Sequence, residues 1–324
     1  MLSNGDKLGA FIVPTGVGAS IGGFAGDASF WARKLAGKCR LIVNPNVVNA
    51  ACFSGITDNM FYVEGYSLDE FFRGRLNLIP AWNNKIGVVF DKSIPQKVLN
   101  VHINTINAIQ TVYGINVIGH EITKRPVGVE FFVNESGESV GNVKNLSTIK
   151  DSAVNLIKQG AEAIALVCAF PEDDCEDYAN GIGVDPVGGV EAIISHYISK
   201  ELKIPCAHSP AFENIQISTD IVDSRCSAEY ITPTFLPCIL IGLNQAPKFS
   251  ITGGINVKDL DFLVMPYNSL GGIPVLESEK HNIPIFAIKE NKTVLNVTKN
   301  KLGVNCFELE SFEDFIAHLN HSLF

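Results

Sequence analysis

Short apolar runs alternate along this chain with stretches whose apolar residues return every three or four positions. The runs at 8–13 (LGAFIV), 40–43 (RLIV), 61–63, 86–90 (IGVVF), 115–118 (INVI), 128–133 (GVEFFV), 163–168 (AIALVC), 204–207, 236–241, 261–265 (DFLVM) and 284–288 (PIFAI) predict strands. Several are continuous rather than alternating, the pattern of strands covered on both faces. Helical spacing predicts helices over 27–36, 68–74, 95–112, 147–158, 187–202, 274–281 and 311–320. In 187–202, Val190, Ile193, Ile194, Tyr197 and Ile198 form one apolar stripe. Asp185 and Pro186 suit its N-cap and first turn, Asp27 and Gly37 suit the ends of the first helix, and Ser311 with Asp314 makes a variant capping box.

Strands alternating with helices predict an α/β fold with largely parallel sheets built from repeated βαβ units, Rossmann-like and in two lobes. The segment 127–145, with NESGES between two runs, predicts a β-hairpin. It marks the expected division between an N-terminal α/β lobe over 1–126, which carries a Gly-rich loop, and a C-terminal α/β lobe over 127–324.

Three strands lead through a polar loop to paired glycines near a helix start: Gly22-Gly23 in ASIGGFAG, Gly188-Gly189 in DPVGGVEA and Gly271-Gly272 in NSLGGIP. Glycine inside a helix costs up to about 1 kcal/mol relative to alanine, so the pairs need a cause. In open α/β sheets ligands gather at the carboxyl ends of strands, beside helix N-termini whose unpaired N–H groups suit phosphate or carboxylate. Lacking a side chain, glycine lets those donors approach an anion. It equally lets a helix pack tightly on its neighbour, or supplies a positive φ. Pro274 suits a first helical turn, which places Gly271 and Gly272 just before their helix. The Gly188 pair most needs a ligand or a close contact.

The first loop, PTGVGASIGGFAGD, offers Thr15, Gly16, Gly18, Ser20, Gly22 and Gly23 as substrate-binding candidates. It matches neither the Walker loop nor the dinucleotide fingerprint, so no organic cofactor is implied. The acidic run PEDDCED (171–177) is compatible with a divalent cation and equally with a solvated loop.

The formal charge of −9 over 324 residues argues against nucleic acid or an anionic membrane as a general partner, while leaving room for a local positive pocket. No apolar run approaches the roughly 18 to 20 residues of a membrane span. The N-terminus shows no basic flank ahead of a long apolar region, so no signal peptide is expected. Eight cysteines without a CxxC spacing exclude the familiar zinc knuckles and read as reduced thiols. The expected location is the cytoplasm or an organelle stroma.

Among titratable groups, His208 in IPCAHSPAF follows an apolar strand and is the first candidate for proton transfer, with Ser209 beside it. His120 in INVIGHEI is the second. Cys226 is a candidate nucleophile if its pKa is lowered, and Arg225 a candidate clamp for a carboxylate or phosphate. Asn46 after the second strand, and Asn268, Ser269, Gly271, Gly272 and Lys289 around NSLGGIP, complete the binding candidates with Gly188 and Gly189. Glu191, in a first helical turn, suits the helix dipole.

FIVPTGVGASIGGFAGDA, VEGYSLDEF, DPVGGVEAIISH and YNSLGGIP with AIKENKT resemble the conserved family called domain of unknown function 3326, from position 11 to position 293. That resemblance implies no particular activity, and no catalytic residue is carried over from it. The residues point to an enzyme acting on a small anionic metabolite, phosphorylated or carboxylated, by acid–base chemistry of isomerase, lyase or hydrolase type. The competing expectation is a non-catalytic metabolite- or nucleotide-binding regulatory protein. Small-molecule substrate, no nucleic acid, no membrane and a homo-oligomer are the expected partnerships.

Overall fold

The computed structural model describes residues 7–171, 176–213 and 217–321. In chain order its main elements begin with β1 (Leu8–Phe11), α1 (Ser29–Ala36), β2 (Arg40–Val43), β3 (Met60–Tyr62), α2 (Gly65–Phe72), β4 (Ile86–Phe90), α3 (Gln96–Tyr113) and β5 (Val117–Ile122). A hairpin of β6 (Val129–Val133) and β7 (Ser139–Val143) follows, then α4 (Leu146–Lys158), β8 (Ala163–Phe170), α5 (Gly188–Leu202), β9 (Cys206–Phe212) and α6 (Leu236–Asn244). The chain closes with β10 (Phe262–Pro266), α7 (Ile273–Lys280), β11 (Ile285–Ile288), β12 (Phe307–Leu309) and α8 (Phe312–His321).

This is a mixed α/β architecture. A six-stranded parallel sheet runs β12-β11-β10-β1-β2-β3, and a four-stranded parallel sheet runs β9-β8-β4-β5. The continuous apolar runs of β1, β4 and β10 are buried along their whole length, as covering on both faces requires. The hairpin lies where NESGES predicts it, with Val129 opposite Val143. Each sheet draws strands from both sides of residue 127: β1 pairs with β10, and β4 pairs with β8.

The run 236–241, read as a strand, is the helix α6. Its residues Leu236, Cys238, Ile239, Leu240 and Leu243 are buried, and Pro237 sits in its first turn. A helix that is apolar all round belongs inside a protein, and over six residues it cannot be told from a buried strand by periodicity. Its side chains join a core that also holds Phe11 and Leu41 from one sheet and Val88 and Phe90 from the other. Asp27 does not cap α1, which starts at Ser29 without a side-chain cap. Instead its Oδ1 accepts from the N–H groups of Gly22 and Phe24. Ser311 and Asp314 do cap α8 reciprocally.

Both sheets have a crevice where the strand order reverses, β1 against β10 and β4 against β8, and the chain fills each with its own groups. In the first, Asn291 exchanges hydrogen bonds of 2.9 Å with Ile21, and Asn268 holds Thr293 and Leu295. In the second, Asp91 Oδ1 accepts from the N–H groups of Ser93 and Val127, both at 3.0 Å. Among the described residues no helix is long and apolar enough to cross a membrane.

Candidate functional site

A cavity of about 470 Å³ opens between the Gly-rich loop after β1, the start of α5, the middle of β9 and the turn leading into α6. Thr15, Gly16, Gly18, Gly22 and Gly23 from the loop, Asn46 after β2, and His208 on β9 line it. Gly18 adopts φ +55°, and a Cβ there would lie 2.7 Å from Val184, so only glycine fits. Asn46 is turned partly to its own chain, donating to Pro14 O at 3.2 Å.

Two side chains set the chemistry of the inner wall. His208 lies within β9 rather than after it, and Nδ1 is 2.9 Å from Ser195 Oγ on α5. Its Nε2 faces Glu191 Oε2 at 3.8 Å. Glu191 is only 6% exposed, and its Oε1 has no hydrogen-bond partner. Burial raises the Glu191 carboxyl well above the usual range, with Asp185 and Glu229 adding repulsion. Burial also lowers the His208 imidazole to about 3, with a smaller effect from His196. Burial thus favours the uncharged form of both groups.

Two further carboxyls line the cavity. Glu229 Oε1 accepts from Ala25 N–H (3.1 Å) and Tyr178 O–H (3.0 Å), and burial pushes this group up to about 8. Asp185 Oδ1 accepts from Val187 N–H at 3.0 Å, and burial raises it as well. Behind the loop, Asp27 is raised to about 7, again by burial first. No lysine or arginine is among the described residues of the lining.

Several of the N–H donors read from the sequence as anion devices are taken by the protein itself. Asp27 takes the loop N–H groups of Gly22 and Phe24, and Glu229 takes that of Ala25. At the start of α5, Asp185 takes the Val187 N–H, and Ser139 Oγ accepts from Gly189 N–H at 3.1 Å. Gly188 and Gly189 do not line the cavity. A Cβ on Gly189 would fall 1.9 Å from Ser139 O, so this glycine lets the hairpin touch the helix. Ser139 is the joint: its N–H donates to Gly16 O at 2.9 Å and its hydroxyl to Pro186 O at 2.7 Å.

The remaining candidates lie elsewhere. Ser20 bonds to Lys292 O, and Ser209, next to His208 on a strand, points to the other face and is buried. Arg225 is committed to Asp223 (2.9 and 3.0 Å) and Gly181 O (2.8 Å), and stacks on Phe24 from outside the lining. Cys226 is fully buried against Ala179 O and Asp223 O, and burial raises its thiol, the opposite of an activated nucleophile. His120 is exposed on the edge strand β5, against the Phe90 ring and away from the cavity. Asn268 and Ser269 are spent on the 293–297 segment and Pro266, while Gly271 and Gly272 are exposed around the N-cap of α7. Lys289 pairs with Glu310 at 2.7 Å. Most of PEDDCED lies outside the described residues.

Sequence reasoning missed Glu191, Glu229, Asp185 and Ser195 as site groups. The spacing of Glu191 and Ser195, four residues apart on one helix, places them on one face. Nothing in the sequence shows that β9 covers that face.

The family described as a protein of unknown function, DUF3326, matches residues 9–321. An uncharacterized lipoprotein of Synechococcus sp. (strain ATCC 27144 / PCC 6301 / SAUG 1402/1) is 37% identical over 318 residues, covering 95% of this chain and 88% of that protein. No solved structure matches.

Proposed function

The chain belongs to this family of unknown function, which carries no activity over to it, and we propose from the geometry that it is an acid–base enzyme acting on a small polar metabolite held in the cavity. The observation that carries this reading is the inner wall: a buried Glu191 carboxyl, its pKa raised by burial, 3.8 Å from a His208 ring whose Nδ1 is held by Ser195. A carboxyl kept protonated by burial is a proton donor at neutral pH, and a neutral imidazole offers one donor and one acceptor nitrogen. Glu191 transfers the proton, while His208 holds the reacting group and Ser195 sets the ring. This pairing serves isomerisation, elimination or hydrolysis. Asp27 and Glu229 already take the N–H groups of Gly22, Phe24 and Ala25, and among the described residues of the lining there is no lysine or arginine, which supports a polar substrate over a strongly anionic one.

We also read each sheet as a Rossmann-like half, on the support of its parallel crossovers and its reversal of strand order. The proposed compartment is the cytoplasm or a stroma, supported by the seven described cysteines being free. Fractionation of the tagged chain tests this, and recovery in the membrane fraction would count against it.

The test of the enzyme reading is a metabolite extract incubated with the protein in D₂O and followed by mass spectrometry. Wild type is expected to consume, or to label with deuterium, at least one small metabolite. Glu191→Gln should slow this by about 10²- to 10⁴-fold with unchanged thermal stability or better, and His208→Asn should weaken it too. A metabolite that binds without turnover would make the chain a binding protein. Full activity in both variants would sink the proton-transfer roles.

A further inference from the structure

The cavity has three features that bear on the charge of its ligand. Three of its lining side chains are carboxyls, Asp185, Glu191 and Glu229, and among the described residues none is a lysine or arginine. Glu191, more than nine-tenths buried, keeps an oxygen without a hydrogen-bond donor. Five aromatic rings, Phe24, Tyr178, Phe212, Tyr230 and Phe235, complete the wall.

Carboxylates and aromatic faces share one complement. A ring attracts a cation over its face, and the attraction grows in a desolvated site. The fold already uses it once, since Arg225 Cζ lies 4.6 Å from the Phe24 ring centroid. An unsatisfied buried carboxyl oxygen calls for a donor, and an ammonium group has three donors and no acceptor. We propose that the cavity selects a ligand carrying a protonated amine, seated between Glu191, Glu229 and the aromatic wall. This rests on the acid–base reading only for the cavity it names. It adds the substrate's chemical class.

The groups facing these carboxyls come from every side. Glu229 meets Asp27 from the Gly-rich loop, Tyr178, Asp185, and Cys226 of its own turn, with Arg225 acting on Asp27. Glu191 meets Asp185, Glu229 and His208, with Cys168 and Cys238 beneath it. A bound ammonium stabilises the ionised form of Glu229, so its arrival releases a proton, while Glu191 keeps its own and accepts through its unpaired oxygen. A bound carboxylate would do the reverse.

The test uses three probes with one apolar body and different heads: n-butylamine, butan-1-ol and butyrate, titrated at pH 7 in about 0.15 M salt, where surface charge is screened. Butylamine is expected to bind at least tenfold more tightly than butan-1-ol, with butyrate weakest. Its binding heat should depend on the buffer with the sign of proton release. Glu191→Gln and Glu229→Gln should each cut the advantage of the amine several-fold and leave butan-1-ol unchanged. General attraction of a cation to an acidic chain would survive both substitutions. The proposal is overturned if butylamine binds no more tightly than butan-1-ol, if protons are taken up or not exchanged, or if the preference persists in both variants. Should a variant fail to fold, the wild-type order and proton count still decide. Amine preference without turnover would overturn the acid–base reading alone, and turnover without amine preference this one alone.

Discussion

Glu229 and His208 bias stability in opposite directions, because burial disfavours the charged form of each. The unfolded chain gives up the Glu229 proton near pH 4.5, whereas the folded chain holds it to about 8. Unfolding therefore releases a proton within that window, and stability falls as the pH rises through it. Asp27 acts alike between 3.8 and about 7. His208 works the other way. The unfolded imidazole takes a proton below 6.5 and the folded one only near 3, so stability falls as the pH drops below 6.5. Above pH 6.5 the carboxyls act without it. Glu229→Gln keeps an oxygen for Ala25 and Tyr178 and removes the titration. Urea unfolding between pH 6.5 and 8 should show a pH slope flatter than wild type by up to about 1.4 kcal/mol per unit. Parallel slopes would mean that Glu229 is ionised in the folded chain.

At the scale of elements, the two glycine pairs that start α5 and α7 look alike in sequence and differ in cause. Gly189 lies under Ser139 of the hairpin, where a methyl group has no room. Gly272 is the N-cap of α7 at φ −81°, with the nearest foreign atom to a Cβ, Pro274 Cδ, at 3.5 Å. Gly189→Ala should cost about 2–3 kcal/mol through overpacking. Gly272→Ala should cost about 1 kcal/mol or less, the difference between two N-cap residues. Denaturant midpoints of the two variants compare them directly, and equal losses would remove the close-packing account. The same contact explains how the hairpin bears on the site: through Ser139 it ties the Gly-rich loop to the start of α5, which carries Glu191 and Ser195.

For the whole molecule, the controlling fact is that neither sheet is complete on one side of the hairpin. The core around α6 joins side chains of both sheets, and the stacking of Trp31 on Phe312 (5.2 Å) fastens the last helix to the first. Fragments 1–126 and 127–324 each lack partners for central strands, β1 and β4 in the one, β8 and β10 in the other. Neither fragment should show a cooperative melt alone, whereas the intact chain should. A cooperative transition in either fragment by circular dichroism would establish it as an independent unit.

The sequence by itself determined the α/β class, eleven of the twelve strands named above, the hairpin included, and seven of the eight helices, and it picked out Thr15, Gly16, Gly18, Gly22, Gly23, Asn46 and His208 as candidates without showing that they share one cavity. These follow from apolar periodicity, capping residues and the rule that loops emerge at the carboxyl ends of strands, all local in the chain. Tertiary structure alone decided that α6 is a helix, that Asp27, Asp185 and Glu229 take the N–H groups of Gly22, Phe24, Ala25 and Val187, and that Glu191 meets His208. Those outcomes depend on burial and on pairings between residues far apart in sequence. A carboxylate in a first helical turn reads the same whether water or a strand lies over it. Only the packing of β9 and the hairpin against α5 removes the water, and with it the solvation that favours the charged carboxylate.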